Sequence, residues 1–304
     1  MLPLETPILL IIFNRPDLTR QVFDSIRRVQ PRHLYVAADG PRNNQPGEMA
    51  KCAGARAVID GVDWDCEVHR LFSAKNQGCK IGVSSAIDWF FSQEEAGIIL
   101  EDDCLPDQSF FAYGKELLEK YRDDQRVMMI AGSNFQDGII RGGGSYYFSQ
   151  FCHIWGWATW RRAWQKNDIA MTSWPKWRDT GKMKEIWPVA KWRRSWTRTF
   201  DRIYQGKIDT WDYAWVFAAW SNRGLCAVPN KNLISNIGFG QDATHTKTQN
   251  YYANQKTESL GPIIHPVLIE ADISADRYTY EHLFATSLTE KVINELKSLF
   301  LPKR

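Results

Sequence analysis

Short, wholly apolar runs alternate with segments of helical spacing through the first third of the chain. Residues 8–13 are all apolar, which is typical of a strand buried on both faces. Residues 18–29 carry apolar side chains three and four positions apart, which predicts an amphipathic helix with Asp17 as its N-cap. The chain therefore begins with a buried strand followed by a helix.

The alternation continues as far as residue 131. The pattern predicts strands at 33–38 and 66–71, a helix at 82–91, a strand at 97–100, a helix at 110–121 and a strand at 127–131. Strands separated by helices are typical of an α/β fold with parallel strands and crossover connections. A glycine-rich turn follows at 142–144, and periodicity is weak from about residue 246.

Polar or acidic residues directly follow three of these strands. Asn14 and Arg15 follow the first strand, Asp39 follows the second, and the acidic triplet 101–103 follows the strand at 97–100. In open α/β sheets, ligands bind outside the carboxyl ends of the strands. We therefore expect these three strand ends to meet at one site.

The acidic triplet requires a counter-charge, because adjacent carboxylates at the end of an apolar strand are costly when unpaired. Mg²⁺ and Mn²⁺ prefer oxygen ligands and leave coordination positions open for the oxygens of a diphosphate. A solvated acidic loop is the alternative. The buried strand before the triplet, together with Asp39 at another strand end, favours a site for a metal ion and a diphosphate.

Asp212, in the segment DTWDYAW, is the candidate general base for sugar transfer with inversion, and Asp209 is the alternative. Trp211 would stack on a sugar ring or desolvate Asp212 and so raise its pKa. The segment also fits an amphipathic helix that buries Trp211 in the core and carries the two acids at its start.

Two further motifs carry candidate chemistry. The loop GFGQDATHT offers His245 as an additional ligand for the metal or the diphosphate. In HIWGWATW, Gly156 would allow close approach to the donor sugar, while Trp155 and Trp157 would form an apolar platform for the acceptor. Packing of these indoles in the core is the alternative.

Composition narrows the functional classes. The 304 residues are 44% hydrophobic and 24% charged, as in globular proteins. A net charge of +3 does not indicate a nucleic-acid partner. Between residues 160 and 200, however, eleven Lys or Arg stand against three acids, together with seven tryptophans. This segment would contact an anionic membrane or substrate, or else bury its indoles beneath a solvated basic face.

No signal-peptide pattern is present, and no apolar run reaches the roughly 20 residues of a membrane span. The six cysteines form no Cys-x-x-Cys pair. These features predict a cytoplasmic protein, with the inner face of the membrane as a candidate location through the segment 160–200.

The sequence resembles the GT-A glycosyltransferases, in the branch typified by N-acetylglucosaminyltransferase I and its bacterial relatives. The similarity covers about residues 7–245 and is carried by six motifs in the family's order: LIIFNRP, AADG, KIGVSSAIDWFF, IILEDDCLPDQSFFAYG, GWATW and WDYAW. It implies a Rossmann-like GT-A fold with a central, mostly parallel mixed sheet flanked by helices.

The resemblance also implies domain boundaries. Residues 1–245 would form the catalytic domain, with a nucleotide-sugar half at about 5–104 and an acceptor half at 105–245. Residues 246–304 would pack on this domain or extend it.

The resemblance implies roles residue by residue. Asn14 and Arg15 would lie near the nucleoside, and Asp39 would accept from the base or the ribose. Lys80 and Ser84 would lie on the helix that supports the nucleotide, where the eukaryotic relatives use a histidine in place of the serine.

The remaining implied roles concern the metal and the base. Glu101 and Asp102 would face the ribose or the diphosphate, Asp103 would be the direct metal ligand, and Asp212 would be the base.

The expected function is metal-dependent, inverting transfer of a sugar from a nucleoside diphosphate donor, a UDP-sugar in particular, to a hydroxyl of a glycan or glycolipid. Bacterial surface polysaccharide synthesis is the expected setting. One alternative is a sugar nucleotidyltransferase, although FNRPDLTR lacks the glycine-rich loop that such an enzyme needs after its first strand. Another is a non-catalytic carbohydrate- or membrane-binding protein with the same fold.

Overall fold

The computed structural model describes residues 3–239 and 253–285. Within these residues the strands are β1 (Ile8–Ile12), β2 (His33–Ala38), β3 (Glu67–Phe72), β4 (Ala96–Glu101), β5 (Cys104–Pro106), β6 (Val127–Ala131), β7 (Tyr146–Ser149), β8 (Trp157–Trp160), β9 (Leu225–Pro229) and β10 (Ile234–Asn236).

The helices in the same residues are α1 (Pro16–Val29), α2 (Glu48–Ala57), α3 (Gly78–Gln93), α4 (Gln108–Lys120), α5 (Arg161–Trp164), α6 (Trp174–Asp179), α7 (Met183–Ile186), α8 (Ala190–Tyr204), α9 (Asp212–Ser221) and α10 (Ile273–Thr279). A 3₁₀ turn at Val58–Gly61 follows α2, and a π-helical turn at Tyr280–Phe284 follows α10.

Eight strands form the central sheet in the order β3-β2-β1-β4-β8-β6-β9-β7. The pairs β3–β2, β2–β1, β1–β4 and β6–β9 are parallel, and the other neighbours are antiparallel. A separate antiparallel ribbon joins β5 to β10. The predicted α/β class, with a mostly parallel mixed sheet, is confirmed.

Both faces of the sheet are covered by helices, which explains why its central strands are continuously apolar. In β1, Leu9 points into one core cluster while Ile8 and Leu10 point into the other. Helices α1, α2 and α4 pack together on one face, and α3 and α5 pack on the opposite face. The carboxyl ends of β1, β2 and β4 remain accessible at the edge between the two layers.

Two helix starts differ from the sequence prediction. Asp17 lies in the first turn of α1 and is not its cap, because Pro16 already occupies the first helical position, where a missing N–H costs nothing. Helix α3 begins at Gly78, four residues before the predicted start at Gly82. A carboxylate remote in sequence, that of Asp39, accepts from the first N–H groups at Gln77 and Gly78.

The tryptophan-rich segment is part of the core. Six of its seven indoles are buried, and Trp177 is partly buried against the same cluster. The buried indoles are those of Trp160, Trp164, Trp174, Trp187, Trp192 and Trp196. The structure therefore shows the alternative in which the indoles are buried beneath basic side chains exposed along α8, and membrane contact of the segment stays a prediction. No helix in the described part of the chain is long and apolar enough to cross a bilayer.

Residues 253–285 lie along the preceding part of the chain. The backbone N–H of Asn254 donates to the carbonyl of Asn236 at 3.0 Å, and that of Glu258 donates to Asn232 at 2.9 Å. In α10 the buried Asp276 accepts from the Ser149 hydroxyl at 2.6 Å. The bond from Ser149 to Asp276 holds α10 against β7, the last strand of the sheet.

His153 makes the stability of the fold sensitive to acid. The side chain is buried, its Nε2 has no partner among the described residues, and burial lowers the pKa of His153 to about 3. An unfolded histidine titrates near about 6.5, so below that pH the unfolded state binds the proton that the folded state excludes. Stability is therefore present above the unfolded pKa and is lost as the pH falls.

We expect His153 to cost about 2 kcal/mol of unfolding free energy when the pH falls from about 6.5 to about 5. Urea denaturation of the wild-type protein and of His153→Phe at both pH values measures this difference. The variant should lose less stability than the wild type over this range. Parallel pH dependence in the two proteins would contradict the assignment of a buried neutral imidazole.

Candidate active site

A cavity of about 760 Å³ opens at the carboxyl ends of β1, β2 and β4. This volume lies within the range of small-molecule sites. The structure brings many of the sequence-predicted residues to its wall: Arg15, Asp39, Glu101, Asp102, Asp103, Trp155, Asp209, Trp211 and Asp212. The cavity is thus the place where the polar strand ends meet.

Arg15 connects the end of β1 to the acidic triplet after β4. Its Nη2 donates to Oδ1 of Asp102, and its Nη1 lies 2.9 Å from Oδ2 of Asp103. The backbone N–H of Phe13 completes the environment of Asp102 by donating to its Oδ2 at 3.1 Å. Asp102 is 2% exposed, so the ion pair with Arg15 compensates a charge that water does not reach.

The acids outnumber this single guanidinium. Burial, followed by the charges of Asp103 and Asp102, raises the pKa of Glu101 to about 8. Burial also raises the pKa of Asp102 to about 6, although Arg15 opposes the shift. For Arg15, burial favours a lower pKa, but the two aspartates hold it above its ordinary value. The site thus places three carboxyl groups around one guanidinium, and these oxygen donors fit a hard divalent cation, whose charge would favour their ionised forms.

Asp39 reaches the cavity wall, but its carboxylate is engaged in holding a loop. Its Oδ1 accepts from the N–H of Gly40 at 2.8 Å and of Gln77 at 2.9 Å, and its Oδ2 accepts from Asn76 Nδ2 at 2.9 Å and from Gly78 N at 3.1 Å. Four donors leave it little capacity to accept from a nucleoside. We assign Asp39 to capping α3.

The loop after β1 is held by a residue pair that sequence reasoning missed. Glu48, buried at the start of α2, accepts from Asn14 Nδ2 at 2.8 Å and from the backbone N–H of Arg42 at 2.6 Å. The Arg42 guanidinium lies 5.5 Å from the centre of the Phe13 ring, and both side chains line the cavity. Asn14 does not itself line the cavity, because its side chain turns to Glu48. Helix α2, which carries Glu48, had no clear apolar period in the sequence.

Helix α3 contributes to the wall through different residues from those expected. Lys80 and Ser84 do not line the cavity, and the Ser84 hydroxyl donates to the Lys80 carbonyl at 2.6 Å. The residues that do line it are Gly78, Cys79, Gly82, Val83, Ser85 and Ala86. The face of α3 that carries these residues, and not the predicted pair, therefore lies at the site.

Asp212 and Asp209 lie on the wall of the same cavity as the triplet. Asp212 is the first residue of α9, is half-buried, and accepts a hydrogen bond from the Thr210 hydroxyl. It contributes to the raised pKa of Glu101, which places its charge near the triplet. Asp209 is exposed and lies before the helix.

The indoles divide between the cavity and the core. Trp155 is half-buried, lines the cavity and meets the Phe239 ring edge-to-face at 5.7 Å. Trp157 is 1% exposed and stacks on Trp211 at 6.0 Å, beneath the wall. Trp155 and Phe239 therefore present apolar surface to the cavity, whereas Trp157 packs in the core, which was the alternative for these indoles.

Two glycines have packing roles. Gly156 adopts a φ of +58°, and an added Cβ would lie 2.4 Å from Cδ1 of Ile234. This explains Gly156 without a ligand. Gly238, which follows β10, packs against the acid site, since an added Cβ would lie 2.1 Å from Oδ2 of Asp103.

His245, the predicted additional ligand, lies outside the described residues.

No family model matches the sequence, and no curated protein matches it. Among solved structures, the chain is similar to S. aureus TarS at 9% identity, covering 54% of this chain and 49% of that one, with a TM-score of 0.38. The chain thus spans about half the length of that structure.

Two further solved structures are similar. One is 4-diphosphocytidyl-2C-methyl-D-erythritol synthase from Anaerococcus prevotii, at 8% identity over 73% of this chain and 88% of that one, with a TM-score of 0.38. The other is CMP:2-keto-3-deoxy-manno-octonic acid synthetase complexed with CTP, at 11% identity over 53% and 77%, with a TM-score of 0.32. None of these likenesses identifies the reaction of this chain.

The close contact at Gly238 can be tested directly. We expect Gly238→Ala to destabilise the fold by about 1–3 kcal/mol, because the new methyl group must push Asp103 away from Arg15. Gly143→Ala is the matched control, because an added Cβ there meets nothing within 4 Å. Chemical denaturation of both variants measures the difference. Equal stabilities would contradict the close packing of Gly238 on Asp103.

Proposed function

We propose that this chain is a metal-dependent, inverting glycosyltransferase that uses a nucleoside diphosphate sugar, expected to be a UDP-sugar. The acceptor is a hydroxyl of a glycan or lipid-linked glycan, and the expected setting is bacterial surface polysaccharide synthesis on the cytoplasmic side. The observation that carries the proposal is the joint position of the Arg15-linked triplet and Asp212 on one cavity of about 760 Å³. Donor activation and acceptor deprotonation each have a candidate group there.

The donor side lies between β1, β2 and the start of α3. Apolar side chains of Phe13, Ala38 and Leu71 line this part of the wall and suit the flat face of a base. Arg15 lies deeper, at the triplet. A guanidinium there can donate to diphosphate oxygens, since this group forms two parallel hydrogen bonds to phosphate.

Asp103 and Glu101 are the residues that would hold the cation. Asp103 is half-buried and shares only part of its carboxylate with Arg15, and Glu101 lies beside it with a raised pKa. A bound Mg²⁺ or Mn²⁺ supplies a Lewis acid that stabilises negative charge on the leaving diphosphate. Gly238 keeps the backbone after β10 close to this site.

The acceptor side is formed by α9 and the loop before β8. Asp212, fixed at the start of α9, would accept the proton of the acceptor hydroxyl at its carboxylate as the new glycosidic bond forms. Trp155 and Phe239 provide an apolar surface on which a sugar ring can pack. Inversion follows if the hydroxyl attacks the face of the donor sugar opposite the diphosphate.

A sugar nucleotidyltransferase fits the β1–α1 connection less well. That connection, Phe13 to Pro16, has no glycine, and the N–H of Phe13 already donates to Asp102. A triphosphate-binding loop needs several free backbone N–H groups. We also propose that this chain is related to the N-acetylglucosaminyltransferase I branch of glycosyltransferases, which would favour a UDP-sugar as the donor.

The first test concerns the metal. Asp103→Asn keeps the size of the side chain but weakens a hard oxygen ligand, so Mn²⁺-dependent stabilisation by a nucleotide sugar should fall strongly. Thermal unfolding with a panel of nucleotide sugars, with and without Mn²⁺, measures it, because a true donor stabilises the folded state by mass action. Unchanged Mn²⁺ dependence in the variant would remove Asp103 from the metal site.

The second test concerns the base. Asp212→Asn should lower kcat for transfer by about 10²–10⁴, the usual contribution of a general base, while donor affinity stays near that of the wild type. Asp209→Asn is the matched control and should retain most of the transfer activity. A large loss of donor affinity in Asp212→Asn, or a larger loss of kcat in Asp209→Asn, would contradict the assignment. Donor binding without transfer to any acceptor tested would favour the non-catalytic alternative.

A further inference from the structure

Three potential metal ligands meet at the end of the sheet opposite the cavity. His33 begins β2, and Glu67 and His69 lie on the neighbouring strand β3. The parallel register pairs His33 with Glu67 and Tyr35 with His69, which places all four side chains on one face of the sheet. Neither strand alone shows the cluster, because it depends on how the two strands pair.

The Glu67 carboxylate lies between the two imidazoles. Its Oε2 is 3.7 Å from His33 Nδ1, and its Oε1 is 3.3 Å from His69 Nε2. One donor atom from each of the three residues can be chosen so that all lie within 4.8 Å of one another. Zinc bonds of roughly 2.0–2.1 Å in a tetrahedron require ligand atoms about 3.3 Å apart. If the three side chains moved closer together, their ligand atoms would therefore occupy three corners of a tetrahedral zinc site.

The imidazole of His69 is already oriented. It stacks on the Tyr35 ring at 4.3 Å with an interplanar angle of 13°. Tyr35 is itself fixed, since its hydroxyl donates to Glu94 at 2.8 Å and its ring meets Trp89 edge-to-face at 5.3 Å. Stacking on a fixed ring restricts the rotamers of His69 and so lowers the entropic cost of ordering it on a metal ion.

The cluster is open to solvent. The side chains of His33, Glu67 and His69 are 39%, 65% and 25% exposed, so an ion can enter and a water molecule can complete the coordination. These exposures also fit a plain surface pairing of a carboxylate with two imidazoles, which contributes little to stability. The two interpretations differ in whether a metal ion binds.

We propose that His33, Glu67 and His69 form a binding site for Zn²⁺ or a similar transition-metal ion, separate from the acid site of the cavity. Two imidazoles and one carboxylate suit zinc, whereas Mg²⁺ and Mn²⁺ prefer sites made of oxygen. His33 and Asp39 lie at opposite ends of β2, roughly 20 Å apart at about 3.3 Å per residue. The ion would tie the edge strand β3 to β2.

The test is equilibrium dialysis of the full chain against ⁶⁵Zn²⁺ in excess Mg²⁺, which occupies oxygen sites such as the cavity triplet. The wild-type protein should bind one equivalent with a Kd that each of His33→Ala, His69→Ala and Glu67→Gln weakens by more than about tenfold, the lower limit for loss of even an outer-sphere partner. His265→Ala is the matched control. It removes a histidine whose Nε2 lies 3.2 Å from Oε1 of Glu116. That pair is not part of a three-ligand group among the described residues.

Equal zinc binding by all four variants, or no binding by the wild type, would overturn the site. Thermal unfolding without zinc checks that each variant is folded, and zinc should raise the Tm of the wild type and of His265→Ala only. A second readout needs no variant that might misfold. The imidazole NMR signals of His33 and His69 should shift together when one equivalent of zinc is added to the wild-type protein, and unshifted signals would contradict the proposal.

Discussion

The pairing of one arginine with two aspartates is the constraint on which the candidate site depends. Asp102 is buried at the end of β4, and an unpaired carboxylate there would be strongly destabilising. Arg15 supplies the counter-charge from the end of β1, so the two strand ends must stay together. It does not balance Glu101 as well, whose pKa is raised first by burial and then by the charges of Asp103 and Asp102. The same interaction thus holds the two strand ends together, and in the proposed function it leaves Asp103 and Glu101 to hold a cation.

Hydrogen bonding separates acids with structural roles from acids available for chemistry. Asp39 and Glu48 both lie near the cavity, but donors from neighbouring loops fill their carboxylates. Those bonds hold the loop before α3 and the loop after β1 in place. Asp103 and Glu101 retain coordinating capacity. Sequence position alone does not make this distinction, since Asp39 and Asp103 both follow a buried strand.

The sequence pattern predicted those elements whose ends depend on neighbouring residues in the chain. The strands β2 and β6 have the predicted ends, because their apolar runs are bounded by polar or turn residues. The start of α3 could not be predicted, because its cap is supplied by Asp39 from another strand. The basic, tryptophan-rich segment was ambiguous for a related reason, since charge and indole content do not reveal which face a side chain takes. Asp212 was identifiable as an acid beside tryptophans, but its place on the same cavity as Arg15 required the folded sheet.

The two ends of the parallel strands differ in chemistry for a physical reason. At the carboxyl ends the chain leaves the sheet in loops, where Arg15 and the triplet can converge and oxygen donors dominate. At the amino ends of β2 and β3, side chains remain in register, so a histidine on one strand is held beside a carboxylate on the next. Hard ions suit the first arrangement, and ions that accept imidazole suit the second. The two proposed sites would therefore favour different ions, an oxygen-ligated Mg²⁺ or Mn²⁺ at one end of the sheet and an imidazole-ligated ion at the other.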